Sequence, residues 1–197
     1  MQDRMRGRVV TLPFHDVNTD VIAPNEFRAL LKEGDRKLEA LRPHVFRDIR
    51  PGLDQFVQAG DIFVVGRNFG AGSHREEAVT IFQLWGVQAV VTESAARIWF
   101  RNAIAAGLPV FEMPGATDLF SEGDQIEIDL HQWRIKNLTT NRTDRSISSF
   151  PPTVMRILSA GGILPLLKRR LDEESEGLAI EHESSRGHFS PSSKSID

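Results

Sequence analysis

Between residues 61 and 113, short apolar runs alternate with longer segments whose apolar residues recur at helical spacing. The runs at 62–65, 87–91 and 108–113 are typical of buried strands, and the segments at 79–85 and 95–106 are typical of helices. This order of strand, helix, strand, helix and strand implies crossover connections, which are nearly always right-handed and join parallel strands. The sequence therefore predicts an α/β fold with a βαβ core.

A different pattern follows this core. Residues 125–130 alternate polar and apolar side chains, residues 133–138 can pair with them as a hairpin, and residues 146–150 form a third short run. Such half-exposed strands often form an antiparallel edge on a mixed sheet. The other predicted elements are a strand at 8–12 and helices at 25–41, 52–57, 153–160 and 163–171.

The chain of 197 residues is long enough for one domain with a substantial core. From Asp172 onward the composition changes to Glu, Ser, Gly, His and Lys, which is typical of segments that are disordered or that order only on a partner. We therefore expect a domain at residues 1–171 and a disordered or partner-dependent tail at 172–197.

The composition also argues against several functions. The net charge is −3 and no basic stripe is interleaved with aromatic residues, so we expect no nucleic-acid binding. We expect no membrane segment and no secretory signal, and therefore a cytoplasmic protein, because no apolar run is long enough for a bilayer and none follows the N-terminus. The chain has no cysteine and its histidines lack metal-ligand spacing, so we expect it to bind no metal itself.

The connection after the predicted strand at 62–65 combines two glycines with polar side chains. Gly70 and Gly72 allow positive φ and a close approach of the backbone, while Ser73 and Arg75 fall at the predicted start of a helix. A hydroxyl, a guanidinium and free helix-start amides together suit a small ligand that bears carboxylates. On these residues alone, a packing turn or a generic anion site remains open, and so does Ser73 as a helix cap.

Four segments carry a family resemblance in the order in which they occur. They are Asp16-Val17-Asn18-Thr19-Asp20-Val21-Ile22-Ala23-Pro24, Asn68-Phe69-Gly70-Ala71-Gly72-Ser73-His74-Arg75-Glu76-Glu77-Ala78, Glu93-Ser94-Ala95-Ala96-Arg97-Ile98-Trp99-Phe100-Arg101-Asn102-Ala103 and Ile157-Leu158-Ser159-Ala160-Gly161-Gly162-Ile163. Together they resemble the swivelling domain of the aconitase superfamily, most of all the separate small subunits of the 3-isopropylmalate dehydratases. The resemblance spans about residues 7–170 and leaves the tail uncovered.

This resemblance implies a swivelling β/β/α fold and a partner. The partner would be a large subunit whose cysteines hold a [4Fe–4S] cluster, with no cofactor on this chain. The implied substrate is a small di- or tricarboxylate, which is dehydrated to an enoate and rehydrated at the neighbouring carbon, as in leucine biosynthesis. The open iron of the cluster would act as a Lewis acid on the leaving hydroxyl.

The resemblance also implies roles for individual residues. Ser73 would be the base that takes the carbon-bound proton, provided that nearby donors stabilise its alkoxide. Arg75 would supply a cation for that alkoxide or bind a substrate carboxylate with its two-pronged guanidinium. His74 stands where the family often has a serine, and its backbone N–H is a candidate donor to the substrate.

Three further residues are candidates for substrate binding. Thr19 and Asp20 would lie near the site, with Asp20 orienting an arginine or a substrate group, although capping of the local turn explains both residues equally well. Arg28 falls in the family's specificity loop, one place earlier than the usual arginine. An apolar pocket favours isopropylmalate, whereas an accessible Arg28 favours a substrate with an extra carboxylate.

Two alternative functions remain open at this point. The first is a sister hydro-lyase subunit that acts on homoaconitate, a methylated malate, citraconate or aconitate. The second is a non-catalytic regulatory module that binds a dicarboxylate. Retention of both Ser73 and Arg75 argues against the second alternative.

Overall fold

The computed structural model describes residues 3–27, 36–73, 75–141 and 144–186, without the side chains of 36–38 and 175–186. The strands are β1 (Arg4–Leu12), β2 (Ile62–Val65), β3 (Ala89–Thr92), β4 (Val110–Glu112), β5 (Gln125–Asp129), β6 (Arg134–Asn137) and β7 (Asp144–Ser146). The helices are α1 (Thr19–Ile22), α2 (Arg36–Leu41), α3 (Leu53–Phe56), α4 (Glu77–Leu84), α5 (Arg97–Ala106), α6 (Ala116–Leu119), α7 (Pro152–Ser159) and α8 (Ile163–Arg186), with a 3-10 helix at Arg42–His44.

The strands form one mixed sheet in the order β4-β3-β2-β1-β5-β6-β7. Strands β1 to β4 run parallel, and β5 to β7 continue the sheet as an antiparallel edge. The predicted α/β class, the βαβ core and the antiparallel edge are therefore confirmed.

Strand β1 joins the two halves of the sheet. Its first part, Arg4 to Arg8, pairs antiparallel with β5, and its second part, Val9 to Leu12, pairs parallel with β2. Gly7 lies just before this change of partner, and a Cβ at Gly7 would approach the carbonyl oxygen of Gly60 to 2.3 Å. A side chain at Gly7 would push β1 away from Gly60, so glycine is needed for this close approach.

The sheet is covered on both faces, which explains the continuous apolar runs of its central strands. Val10, Leu12, Phe63 and Val65 belong to a core on one face that also contains buried residues of α4 and α5. The alternate residues of the same strands, including Val9 and Ile62, belong to a second core with Ala116 of α6 and residues of β5 and β6.

Several predicted boundaries are wrong. The third antiparallel strand lies at Asp144–Ser146 rather than 146–150, because Ser146 pairs with Arg134 and places the ladder earlier. Helix α4 begins at Glu77, so Ser73 and Arg75 precede it. Of the helix predicted at 25–41, α2 accounts for Arg36–Leu41, and residues 28–35 lie outside the described residues.

The C-terminal region also differs from the prediction. Helix α8 continues to Arg186 instead of ending at Leu171, so residues 172–186 are helical where a disordered tail was one expectation. Residues 187–197 lie outside the described residues, and the division of the chain after Leu171 stays a prediction. No helix among the described residues is long and apolar enough to cross a lipid bilayer.

Candidate active site

The loop that connects β2 to α4 lies at the carboxyl end of the parallel strands, where open α/β sheets bind ligands. Its backbone is bonded on one side to the segment that follows β3. The N–H of Phe69 donates to the carbonyl of Ser94 at 3.0 Å, and the N–H of Ala96 donates to the carbonyl of Phe69 at 2.8 Å. The N–H of Asn68 also donates to the Ser94 hydroxyl at 2.9 Å.

On its other side the same loop is bonded to the segment that follows β1. The N–H of Gly70 donates to the carbonyl of Val17 at 2.7 Å, and the N–H of Thr19 donates to the carbonyl of Ala71 at 2.8 Å. These bonds hold the loop between the segment that follows β1 and the segment that follows β3. The backbone that leads to Ser73 is therefore fixed on both sides.

Both loop glycines have positive φ, and Gly70 is also needed for close packing. Gly70 has φ +79°, and a Cβ there would lie 2.2 Å from the Cγ of Trp99. Trp99 is buried, and its indole N–H donates to the carbonyl of Ala78 at 2.9 Å. Gly72 has φ +99° and lies beside the hydroxyl of Thr19. The glycines thus admit Trp99 and Thr19 to the loop, which is a structural reason for glycine beyond the predicted approach of a ligand.

The hydroxyl of Ser73 lies between two polar groups. The Nε–H of Arg75 donates to Ser73 Oγ at 3.0 Å, and Thr19 Oγ1 lies 3.2 Å from the same atom. Ser73 is exposed, whereas Thr19 is only 1% exposed. Donors directed at a serine oxygen favour its ionised form, so this arrangement lowers the cost of removing the Ser73 proton.

Arg75 is held by residues from a distant part of the sequence. One Nη donates to the carbonyl of Ala23 at 2.9 Å, and the other forms an ion pair with Asp20. The side chain of Arg75 is largely buried, but that of Asp20 is 64% exposed, so the Asp20 carboxylate lies between the guanidinium and solvent. Arg75 is thus fixed by Asp20 and Ala23 from the earlier segment and by Ser73 from its own loop.

Helix α1 places Thr19 and Asp20 in the site, and its cap was missed in sequence analysis. The N–H of Val21 donates to the side-chain oxygen of Asn18 at 2.9 Å, so Asn18 is the N-cap of α1. An Asn immediately before a short helix is the signal that could have identified this role. Capping therefore falls to Asn18, which leaves the side chains of Thr19 and Asp20 to contact Ser73 and Arg75.

The structure brings together four of the six proposed catalytic and substrate-binding residues: Ser73, Arg75, Thr19 and Asp20. His74 and Arg28 lie outside the described residues. The cation predicted beside Ser73 is present, because Arg75 donates to the Ser73 hydroxyl. The predicted position at a helix start is not, because Ser73 precedes α4. Within the described ranges, no group of three or more histidine, aspartate or glutamate residues could hold a metal ion.

Comparisons with known proteins identify the relatives of this chain. The family model of the aconitase C-terminal domain matches residues 5–114. The 3-isopropylmalate dehydratase small subunit 1 of Methanopyrus kandleri is 38% identical over 90% of this chain and 100% of its own length. The corresponding small subunit 1 of Thermotoga maritima is 42% identical over 84% of this chain and 95% of its own length.

A third relative and a crystal structure come from Methanocaldococcus jannaschii. Its isopropylmalate/citramalate isomerase small subunit is 38% identical over 88% of this chain and 99% of its own length. The crystal structure of a 3-isopropylmalate dehydratase from this organism has a TM-score of 0.78 and 33% identity, covering 88% of this chain and 99% of the other. The chain therefore belongs to the aconitase C-terminal domain family and, within it, to the small subunits of the 3-isopropylmalate dehydratases.

Proposed function

We propose that this chain is the small subunit of a two-subunit hydro-lyase that interconverts 2-isopropylmalate and 3-isopropylmalate through isopropylmaleate, in leucine biosynthesis. The observation that carries the proposal is the Ser73 hydroxyl, held between Arg75 and Thr19 at an exposed point of the β2–α4 loop. This arrangement is what a proton-transfer site requires, because the oxygen is open to a ligand while its donors are fixed.

In the proposed reaction, Ser73 as the alkoxide takes the proton from the substrate carbon next to the carbon that loses the hydroxyl. An ordinary serine is too weakly acidic to exist as an alkoxide in water, so the charge must be stabilised by the site. The Nε–H of Arg75 supplies one fixed donor and the hydroxyl of Thr19 can supply another. Rehydration reverses the transfer, and Ser73 returns a proton to carbon.

Arg75 has a second proposed task. A guanidinium has five N–H groups, and Ser73, Ala23 and Asp20 are three partners, so donors are left for a substrate carboxylate. Asp20 and Ala23 fix the plane of the guanidinium and thereby the direction of those donors. His74, through its backbone N–H, completes the proposed set of binding residues for isopropylmalate, and Arg28 would join that set only for a substrate with an extra carboxylate.

The proposed partner is a cysteine-bearing large subunit that carries a [4Fe–4S] cluster, and the proposed location of the complex is the cytoplasm. This chain has no cysteine, so its residues do not fit the role of cluster ligands. The proposed contribution of this chain is therefore limited to proton transfer and carboxylate binding, and it is inactive without the partner.

Citramalate is a second candidate substrate, since the M. jannaschii relative is named as an isopropylmalate/citramalate isomerase. The two substrates differ in the size of one apolar substituent. A pocket distinguishes such methylene groups by only about 1–3 kcal/mol each, so one site can accept both.

The test is co-expression of this chain with a cysteine-bearing large subunit, followed by anaerobic cluster reconstitution and assay of enoate hydration. We expect hydration of isopropylmaleate to be fastest, that of citraconate slower and that of cis-homoaconitate slowest, with no activity for either subunit alone. Failure with every enoate would overturn the hydro-lyase assignment. A preference for cis-homoaconitate would overturn the isopropylmalate assignment and indicate that Arg28 binds an extra carboxylate.

A further inference from the structure

The turn that follows the 3-10 helix contacts the aromatic ring of Phe27 with two side chains. The imidazole ring of His44 stacks on the Phe27 ring, with the ring centroids 3.6 Å apart and an angle of 9° between the planes. The guanidinium carbon of Arg47 lies 4.9 Å from the centre of the Phe27 ring, and an Nη of Arg47 pairs with the Glu26 carboxylate at 2.6 Å. We call His44 and Arg47 the Phe27 clamp.

Phe46 lies between the two clamp residues in sequence and has a backbone conformation that is rare for a bulky residue. Its φ is +54°, in the left-handed region, and its side chain is fully buried. Its N–H donates to the carbonyl of Ile22 in α1 at 3.3 Å, and its ring stacks on that of Phe69, with the centroids 6.2 Å apart. Phe46 thus links α1 to the β2–α4 loop. Unfavourable backbone conformations of this kind occur often where a structure positions functional groups.

The segment that the Phe27 clamp holds also holds Arg75. The N–H of Phe27 donates to the carbonyl of Pro24 at 3.1 Å and closes a tight turn. Ala23, just before this turn, is buried, and its carbonyl accepts from an Nη–H of Arg75 at 2.9 Å. The direction of the Ala23 carbonyl therefore depends on the turn that Phe27 closes. A contact at Phe27 thus acts, through Ala23, on the guanidinium whose Nε–H donates to Ser73.

We propose that His44 and Arg47 are positioning residues for the reaction, because their contacts with Phe27 fix the direction of the Arg75 guanidinium. Within the described part of the chain, neither clamp residue is hydrogen-bonded to Ser73 or Arg75, so both act through Phe27. This inference rests on the proposed function, in which Arg75 stabilises the Ser73 alkoxide and binds a substrate carboxylate. Small displacements of such groups lower the rate of a reaction.

The first test compares His44→Ala with His44→Phe in the reconstituted enzyme. Alanine removes the stacked ring, whereas phenylalanine keeps a flat ring at the same place. Loss of one aromatic contact changes an equilibrium by about two- to tenfold, so His44→Ala should raise KM for isopropylmaleate by that factor. His44→Phe should stay near the wild-type KM, and so should the matched control His131→Ala at an exposed position after β5.

The kinetic parameters separate positioning from a purely structural role. A structural role would lower the melting temperature or the amount of active enzyme, and it would leave KM unchanged. A displaced Arg75 binds the substrate carboxylate less well, so KM itself should rise. An unchanged KM in His44→Ala, or an equal rise in His44→Phe, would overturn the proposal.

A double variant tests whether the Phe27 clamp acts through Arg75. The loss of kcat/KM caused by His44→Ala should be smaller in the Arg75→Lys background than in the natural chain, because the planar fork that the clamp positions is already absent. Contributions that are independent of each other would instead multiply. Multiplicative losses would refute the proposal.

The direction of Arg75 can also be measured without catalysis, by NMR of the full-length small subunit labelled with ¹⁵N-arginine. The Nε–H of Arg75 is identified as the signal that Arg75→Lys removes. We expect this proton to exchange slowly with water, because it is donated to Ser73 and the Arg75 side chain is only 12% exposed. His44→Ala should accelerate the exchange by about two- to tenfold, and His131→Ala should not.

This measurement distinguishes failure of the clamp from failure of the proposed function. Unchanged exchange of the Arg75 Nε–H in His44→Ala would overturn the clamp even if the reconstituted enzyme is active. Accelerated exchange in a chain whose reconstituted complex hydrates no enoate would support the clamp and overturn the proposed function.

Discussion

Arg75 Nε lies 3.0 Å from Ser73 Oγ, and the other two nitrogens of the same guanidinium contact Ala23 and Asp20 on a segment more than fifty residues earlier. The geometry of the Ser73–Arg75 pair thus depends on the contacts of Arg75 with this earlier segment, and not only on the closeness of the two residues in sequence. If either segment moves, the donor to Ser73 moves with it. The catalytic properties of the site should therefore be sensitive to changes that leave Ser73 itself untouched.

Arg75→Lys keeps the positive charge but cannot contact Ser73, Ala23 and Asp20 together, because a lysine lacks the planar fork. We expect kcat/KM of the reconstituted enzyme to fall roughly ten- to hundredfold, the equivalent of one charge-assisted hydrogen bond. Steady-state kinetics on isopropylmaleate measures this loss. Arg156→Lys, at an exposed position on α7, is the matched control and should leave the rate unchanged. Equal rates for both variants would show that the fork of Arg75 is not needed.

Asp20→Asn should have a smaller effect than Arg75→Lys. The Asp20 side chain is 64% exposed, so solvent screens its ion pair with Arg75, and such pairs contribute about 0.2–1 kcal/mol. We expect kcat/KM to fall roughly two- to fivefold. The double variant with Arg75→Lys should lose less than the product of the two single losses, because both changes act on one contact. Strictly multiplicative losses would mean that Asp20 does not act through Arg75.

Gly70→Ala should destabilise the protein more than an ordinary substitution at a glycine with positive φ. Gly70 and Gly115 have nearly the same φ, +79° and +76°, but only Gly70 faces Trp99, while a Cβ at Gly115 meets nothing within 4 Å. Gly115→Ala should cost about 1–2 kcal/mol of unfolding free energy from backbone strain. Gly70→Ala should add a packing cost of about 1–3 kcal/mol and also lower kcat.

Urea unfolding of both glycine variants measures this difference. Equal unfolding free energies would contradict the account of Gly70 as the point where Trp99 approaches the loop. Assay of the two reconstituted complexes separates stability from activity, since only the change at Gly70 lies in the loop that carries Ser73.

Glu122 should make stability depend on pH. Burial raises the pKa of this carboxyl, but hydrogen bonds from Arg50 and from the backbone and hydroxyl of Thr11 outweigh burial and hold the pKa below its ordinary value of 4.5. A folded pKa below the unfolded one gives stabilisation that is present above pH 4.5 and is lost as pH falls through the folded pKa. Glu122→Gln removes this contribution.

Urea midpoints at pH 7 and in acid below pH 4.5 check this expectation, because the contribution is present at the first pH and declines as the pH falls through the folded pKa. Glu122→Gln should be less stable than the natural chain at neutral pH, and the difference should shrink in acid. A constant difference between the two proteins at both pH values would mean that the Glu122 charge is not what holds Arg50 and Thr11 together.

The sequence predicted the order of elements in the core because apolar spacing reports directly on helices and strands. It placed Ser73 at the start of α4 because serine is a common helix cap. The actual N-cap is Glu76, whose side chain makes no capping hydrogen bond, so no capping residue marks the start of α4 in the sequence. The extension of α8 was missed similarly, because composition indicates polarity but does not separate an exposed helix from a disordered segment.

The contacts of Arg75 could not be predicted from the residues alone. They depend on β1 lying beside β2, which brings Asp20 and Ala23 to the loop after β2. No local sequence pattern indicates that these two segments lie side by side. The family resemblance supplied the candidate site residues, and the tertiary arrangement was needed to show that Asp20 pairs with Arg75 and that Thr19 contacts Ser73.

The central claim is that Ser73 transfers the proton, and the most direct test is the rate of the complex that carries Ser73→Ala. Loss of the base should lower kcat for isopropylmaleate hydration by about 10²–10⁴-fold. KM should stay near its wild-type value, because Arg75 retains its contacts with Ala23 and Asp20 and so keeps the position from which we propose that it binds the carboxylate. A Ser73→Ala complex that keeps a near-normal kcat would contradict the account.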